Sequence, residues 1–484
     1  MQIEYVNDVH MKVRCDLGTA QELSEYFTFD VPGAQFMPQV RNRFWDGKIR
    51  LYNSSTGNLY AGLLPYVQQF AAERDLDFEV DDPRFNGVEF TMADAKRHLG
   101  GLGLPFEPRD YQVEAFTHAI RNKRALLLSP TASGKSLIIY ALARYFWNVG
   151  QVLIVVPTVG LVQQMRSDFL EYGLPQGMIQ TISAGEDKNV TAPITISTWQ
   201  SIYKQKKDWF KRFKTVLGDE AHLYKAKSLT SLMSKLIDCP NRIGFTGTLD
   251  GTQTHKLVLE GLFGSVKKVT TTKELIDSET LADFKIKAII LNHNMLAKEH
   301  HKKDKYQDEV DFLVGNPARN RFIKNLAYGL KGNTLLLYQF VEKHGKVLFK
   351  LIEDEKTLIN DKPTFLVHGG VEAEERERIR GIVEQETDSL IVASYGTFST
   401  GINIRNLDNV IFASPSKSKI RVLQSIGRGL RRSDRKEKAT LYDIGDDLTW
   451  KSRKNYTLEH FAERIKIYNE EKFDYKIYKV NLND

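Results

Sequence analysis

Cysteine is almost missing from this 484-residue chain: Cys15 and Cys239 stand far apart, with no Cys or His at metal-ligand spacing beside either. A disulfide framework and a zinc module are therefore excluded as organising features. Long hydrophobic runs are missing too. The longest, residues 152–162, contains Pro157 and is too short to span a bilayer, so no membrane partner is expected. The N-terminus has early acids and lacks the apolar segment of a signal peptide, which leads to the expectation of a cytoplasmic, reducing environment. Proline is sparse at 14 residues, and no repeat of 20–50 residues recurs. What remains, 42% hydrophobic and 27% charged residues, is ordinary globular composition. It suffices to bury a core in each of about three folding units.

The net charge of +7 permits nucleic-acid binding without establishing it. Its distribution says more. Residues 1–88 hold 8 basic against 13 acidic side chains, residues 89–284 hold 24 against 19, and residues 285–484 hold 36 against 29. The acidic first segment opens with the alternating run Ile3-Glu4-Tyr5-Val6 and passes through a helix-like stretch at 20–27 into short strand candidates. From about residue 109, short apolar runs alternate with helical periods, as at 125–128, 152–156 and 215–219. A second set follows at 286–291, 334–338, 364–367, 389–393 and 410–413. Such runs are buried parallel strands of βαβ units. The expected fold is α/β, with two parallel-sheet domains in tandem (89–284 and 285–484) after a small α+β N-terminal module (1–88).

Residues 129–136 read Ser-Pro-Thr-Ala-Ser-Gly-Lys-Ser, between the strand at 125–128 and a helical run at 137–146. At such a helix start, backbone N–H groups and the helix dipole cradle phosphates. Thr131, Ser133 and Gly134 are the loop positions expected against a nucleotide. Lys135 reaches the β- and γ-phosphates of ATP, and the Ser136 hydroxyl ligates Mg²⁺. Ser129 stands where such loops usually have their first glycine. A bare Gly-Lys-Ser can also be a plain helix N-cap, but the flanking strand and helix favour the phosphate site. Asp219-Glu220-Ala221-His222 follows another apolar strand. There Asp219 can hold Mg²⁺, usually through water, while Glu220 polarises the attacking water.

These residues belong to a series that resembles superfamily 2 helicases of the DEAH-type signature. Arg109-Asp110-Tyr111-Gln112 looks like the Q motif, which implies that Gln112 contacts adenine. Val156-Pro157-Thr158 resembles motif Ia, and Thr195-Ile196-Ser197-Thr198-Trp199-Gln200 resembles the next strand-contacting motif. Thr246-Gly247-Thr248 matches motif III, which in the family couples the ATP state to nucleic-acid grip. Residues 394–403 resemble motif V, although Asn403 stands where Asp is frequent. Residues 424–431, Gln424 through Arg431, match motif VI. The resemblance spans roughly residues 109–431 and implies two RecA-like domains. It also implies Thr158, Thr198 and Thr400 as DNA phosphate contacts and Gln424 as a coupling residue. The motif VI arginines lie in the second domain and the phosphate loop in the first, so their charge reaches the phosphoryl group only on closure. Such a finger is worth about 10³–10⁵ in rate. Arg431 is the first candidate and Arg428 the second.

The flanks narrow the family. Residues 36–51 and 462–475 resemble bacteriophage UvsW helicases, which implies a motor for forks, Holliday junctions and R-loops in recombination, repair and replication. The implied partner is branched or single-stranded DNA or an RNA–DNA hybrid, with recombination or single-strand-binding proteins as protein partners and a monomeric chain. Arg41, Arg43, Lys48 and Arg50 face one acid, Asp46, and form a basic stripe suited to DNA phosphates. Phe44 or Trp45 can stack on an unpaired base, although Trp45 is expected in the core. Residues 298–305, KEHHKKDK, read first as a solvated surface loop and second as a DNA contact, and Leu458, Phe461, Ile465 and Tyr468 as a helical stripe packed on the second sheet. The alternatives are a duplex-translocating motor of a restriction complex, a DEAH RNA helicase, and a non-catalytic DNA-binding protein with a degenerate ATP site.

Overall fold

The structure, a computed structural model, describes residues 1–482 except 81, 184, 250–252, 279–282, 355–361, 398–403, 405 and 415–437. The chain divides into two compact units. Met1–Ser129 and Gly134–Thr270 form the first, and Pro130–Ser133 with Thr271–Asp484 form the second. No helix among the described residues is long and apolar enough to cross a membrane.

The N-terminal module has six short strands: β1 (Gln2–Tyr5), β2 (His10–Arg14), β3 (Thr28–Asp30), β4 (Lys48–Arg50), β5 (Asn58–Tyr60) and β6 (Glu79–Val80). They make a four-stranded sheet in the order β5-β2-β1-β6 and a separate β3-β4 hairpin. Alternation along β2 sends Met11 and Val13 into a core with Ile3, Leu23, Phe27 and Phe70. That core also takes Leu257 from the helix Gln253–Phe263. Gly62 lies so close to the same helix that a Cβ there would fall 2.1 Å from the Glu260 carbonyl oxygen. Tyr66 OH donates to Glu260 Oε2 at 2.6 Å. The module expected to stand apart as residues 1–88 thus shares one compact unit with the first parallel sheet, because its core is completed by a helix of that sheet. Its removal would uncover Leu257.

The first unit's large sheet holds β7 (Arg124–Leu128), β8 (Gln151–Val156), β9 (Ile179–Ile182), β10 (Ile194–Thr198), β11 (Phe213–Gly218), β12 (Asn241–Thr246) and β13 (Val266–Lys268). All pairings are parallel, in the order β13-β7-β12-β11-β8-β10-β9. Ala125, Leu127, Ile154 and Ile243 pack against the helices on one face, and Leu126, Leu153 and Val216 against those on the other. Burial on both faces explains why these strands read as continuous apolar runs.

The second unit's sheet is also seven-stranded and parallel: β14 (Asp283–Asn292), β15 (Thr334–Tyr338), β16 (Thr364–Val367), β17 (Leu390–Ser394), β18 (Asn409–Phe412), β19 (Lys438–Asp447) and β20 (Asp474–Asn481), in the order β16-β17-β15-β18-β19-β14-β20. Two tandem RecA-like sheets with a small N-terminal module are therefore the architecture. The break between units falls after Thr270, earlier than the boundary expected at 284. The helix Thr272–Asp277, closed by a Thr271/Glu274 capping box, already belongs to the second unit.

Two readings of the C-terminal half need correction. Residues 298–300 of the basic run end a helix, Met295–His300, and are not loop. The stripe on Tyr456–Glu470 is Thr457, Phe461, Arg464, Ile467 and Tyr468, with Leu458 and Ile465 only half-buried. Arg464 occupies a core position because Asp443 of β19 meets it: Nη2 lies 2.8 Å from Oδ1, and both side chains are fully buried. Asp446 pairs likewise with Arg319 at 2.9 Å. Burial pushes the Asp446 carboxyl upward, but Arg319 and His293 outweigh it and hold it at about 2.

Candidate nucleotide site and nucleic-acid surface

The phosphate loop leaves the C-terminal end of β7 and enters the helix Lys135–Phe146. Its first residue is anchored, since Ser129 N donates to Thr246 O at 2.8 Å. Two left-handed residues, Ala132 (φ 67°) and Gly134 (φ 78°), turn the chain into the helix. Gly134 meets a second constraint, because a Cβ there would lie 2.3 Å from Gln112 Nε2. The Q-motif amide therefore rests on the loop, with its Oε1 accepting from Arg109 N at 2.9 Å. Ser133 turns inward, its hydroxyl donating to Pro130 O at 2.6 Å. That bond shapes the loop, a role beyond the nucleotide contact expected of this side chain. Thr131 is half-buried in the same loop.

Neighbouring parallel strands bring the acidic motif to the helix start. Asp219 N donates to Val155 O at 3.0 Å and carries the chain just past β11. Glu220 then adopts φ 48° and donates its N–H to Asp219 Oδ1 at 2.9 Å. Lys135 Nζ lies 3.8 Å from Asp219 Oδ1 and 3.5 Å from Glu220 Oε1. Burial raises the Asp219 carboxyl above its ordinary range; Lys135 opposes this and Glu220 adds to it. His222 Nδ1 lies 3.3 Å from Glu220 Oε2 and 3.1 Å from Thr246 Oγ1. Thr246 Oγ1 in turn donates to Thr248 O at 2.9 Å, across the half-buried Gly247. The chain of contacts from Lys135 to Thr248 is continuous, so motif III touches the acidic motif through one imidazole.

The donor set suits Mg²⁺. Ser136 supplies a hydroxyl and Asp219 a buried carboxylate whose charge a dication would stabilise. Among the described residues no three His, Cys, Asp or Glu side chains cluster as a metal cage. Mg²⁺ held by one or two protein oxygens plus phosphates and water does not require one.

Thr158 and Thr198, at the ends of β8 and β10, line one groove of about 500 Å³. Thr158 caps the helix Val159–Glu171 by accepting from Leu161 N, and Thr198 Oγ1 lies 2.8 Å from Ser201 Oγ. Lys188 also lines this groove, held from behind where Trp209 Nε1 donates to Lys188 O at 2.8 Å. It escaped the sequence reading because Glu-Asp-Lys looks like any solvated loop. Thr400, Asn403, Gln424, Arg428 and Arg431 lie outside the described residues.

In the N-terminal module, Arg41, Arg43, Lys48 and Arg50 are all exposed, as expected of the stripe. Arg50 is paired with Asp46. Trp45 is only half-buried, and its indole donates to Lys48 O at 2.9 Å. Phe36 and Phe44 in the same β3–β4 connection are 77% and 84% exposed.

Three family descriptions match: "DNA helicase UvsW, N-terminal" over residues 1–81, "Type III restriction enzyme, res subunit" over 105–251, and "Helicase conserved C-terminal domain" over 318–433. The chain is 34% identical to the ATP-dependent DNA helicase uvsW of Enterobacteria phage T4, with all of both chains covered. It is 24% identical to the DNA 3'-5' translocase XPB2 of Sulfurisphaera tokodaii, over 78% of this chain and 91% of that one. Among solved structures, T4 UvsW matches with a TM-score of 0.53 and 33% identity, covering 100% of this chain and 99% of that one.

Proposed function

From the premise that the chain belongs to the UvsW family of ATP-dependent DNA helicases, we propose that it works on branched DNA: regressing forks, migrating junctions and unwinding R-loops. The observation that carries this reading is the pair of exposed rings, Phe36 and Phe44, beside Arg41 and Arg43 on the β3–β4 connection. Guanidinium groups hold phosphates while an aromatic face takes an unstacked base, and a junction offers both together. Residues 1–88 are then the substrate-reading module, and Thr158, Thr198 and Lys188 grip one strand on the first motor domain.

The chemistry is ATP hydrolysis. Lys135 exchanges its acidic neighbours for the β- and γ-phosphates, which leaves Glu220 able to accept a proton from water. Ser136 and Asp219 are the residues that would hold Mg²⁺, whose positive charge offsets that of the transferring phosphoryl group. His222 links Glu220 to Thr246, so a change at the acidic motif reaches motif III. Gln112 is the proposed adenine contact. On the sequence motif alone, Arg431 with Arg428 supplies the finger and Gln424 joins Thr246, Gly247 and Thr248 in coupling.

The decisive experiment is ATP-dependent strand displacement on matched forks, Holliday junctions, R-loops and plain duplexes. Activity on branched substrates well above linear duplex is expected. Equal translocation on linear duplex without displacement would favour the restriction-type motor. The combined Arg41→Ala, Arg43→Ala and Phe44→Ala variant should lose about tenfold or more in affinity for forked DNA, from one stacking and two phosphate contacts. Its salt dependence should be shallower, while single-stranded DNA still stimulates its ATPase. Unchanged fork affinity in a filter-binding titration would remove the module from substrate reading. Point substitutions are the right tool, because deleting residues 1–88 would strip Leu257 of its packing.

Gly134→Ala tests the loop. A left-handed non-glycine residue costs about 1–2 kcal/mol, and the added methyl must displace Gln112. Nucleotide affinity, read by titration with a fluorescent ATP analogue, should fall about tenfold or more. Unaltered affinity would show that the Gln112–Gly134 contact does not shape the site.

A further inference from the structure

A cavity of about 600 Å³ opens in the first unit, where the N-terminal module meets the N-terminal ends of the parallel strands. Arg124 begins β7, Lys214 lies near the start of β11, and Ser265 precedes β13. The phosphate loop follows the opposite, C-terminal end of β7, so this cavity is separate from the nucleotide site.

Its wall is cationic and poorly neutralised. Arg84 is paired with Asp82. The other cations donate to backbone carbonyls: Lys123 Nζ to Asn86 O at 3.3 Å, Lys214 Nζ to Lys211 O at 3.2 Å and Asp238 O at 3.3 Å, and Arg124 Nη2 to Asp8 O. Near Arg124 lies the fully buried Arg242, whose three nitrogens donate to the carbonyls of Leu262, Leu236 and Met233. Among the described residues, none of these four cations has a carboxylate in ion-pair contact. Two acids share the wall, Asp8 and Asp238. Asp8 accepts the Tyr5 hydroxyl at 2.5 Å, and Asp238 is exposed. Arg124 Nη1 is buried without a hydrogen-bond partner. Burial, with repulsion from Arg242, lowers the Arg124 pKa to about 10. The Asp8 carboxylate offsets the burial of Arg124 and Arg242 only in part, and an anion within reach of the two lysines would add to that compensation.

We propose that this cavity is a second phosphate-binding site, taking a phosphoryl group against Lys123 and Lys214 with Arg124 and Arg242 supplying positive potential behind it. The group belongs either to a small phosphorylated ligand or to a nucleic-acid backbone; both present anionic phosphoryl oxygens, a monoester with up to two charges and a backbone diester with one.

The test uses the full chain and inorganic phosphate against chloride at equal ionic strength. Phosphate should raise the unfolding midpoint saturably, by roughly 5 °C at about a hundredfold excess over Kd. The shift should persist in Lys135→Ala, which weakens the ATP site, and vanish in Lys123→Asn with Lys214→Gln. Asparagine tolerates the left-handed backbone at position 123 (φ 58°), and Lys214→Arg should retain the effect as a folding control. If the paired variant also binds forked DNA less tightly with a shallower salt slope, the phosphate is a nucleic-acid one. Unchanged DNA affinity assigns it to a small ligand. A shift lost in Lys135→Ala, indifferent to the cavity substitutions, or absent from the unsubstituted chain overturns the proposal.

Discussion

Lys135→Ala is expected to lower DNA-stimulated ATP hydrolysis by about a thousandfold while leaving the affinity for DNA within about twofold of the unsubstituted chain. The size follows from what one charged donor contributes to a developing anionic transition state, about 10²–10³ for a single hydrogen-bonding group and more for a full charge. Its independence from DNA binding follows from placement. Lys135 Nζ is enclosed by Asp219 and Glu220, whereas the groove with Thr158, Thr198 and Lys188 lies beyond β8 and β10. Steady-state phosphate release, together with fluorescence anisotropy on single-stranded DNA, measures both. Normal turnover in this variant would refute the assignment of the site, and a parallel loss of DNA binding would show that the loop supports the groove.

The cluster of Lys135, Asp219 and Glu220 proposed as the nucleotide site was legible because its requirements are local. A phosphate loop needs Gly134 at positive φ and Lys135 one residue later, and an acidic pair must follow a parallel strand, so the requirements appear as contiguous residues. Strands buried on both faces announced themselves in the same way, as unbroken apolar runs at β7, β8, β15 and β17. Other features depend on distant residues and left no local trace. The strand β19 reads Lys-Ala-Thr-Leu-Tyr-Asp-Ile-Gly-Asp-Asp, which looks like a polar segment until Arg464 and Arg319 are found buried against its acids. The edge strand β20 is mostly exposed and alternates too weakly to separate from a tail. The tie between the N-terminal module and the motor rests on Gly62, Tyr66 and Leu257, far apart in sequence, so composition alone suggested two bodies.

Those buried ions carry the second large effect: Arg464→Leu is expected to destabilise the second unit by about 3–5 kcal/mol. Arg464 Nε donates to both oxygens of Asp443, at 3.0 and 2.9 Å, and Nη2 reaches Oδ1 at 2.8 Å and the Ile444 carbonyl at 3.2 Å. Tyr468 OH donates to Asp443 Oδ2 at 2.7 Å. Replacing arginine with leucine removes the guanidinium that lies 5.3 Å from the Phe461 ring centroid and leaves Asp443 charged in a site with no solvent exposure. Charged Asp443 must then either take up a proton or pull β19 open, and both are losses to the folded state. The cost is therefore that of the orphaned carboxylate more than of the lost pair. The double variant, Arg464→Leu with Asp443→Leu, should recover most of the stability, since a well-packed apolar pair can equal a buried ion pair. Urea titration of the full chain, followed by fluorescence and by protease cleavage mapped to each half, separates the two units' transitions. The second unit's midpoint should fall in the single variant and return in the double. A single-variant cost below about 1 kcal/mol would mean that Asp443 is satisfied without Arg464. A double variant as unstable as the single one would place the cost in packing around Phe461 and Tyr468 rather than in charge.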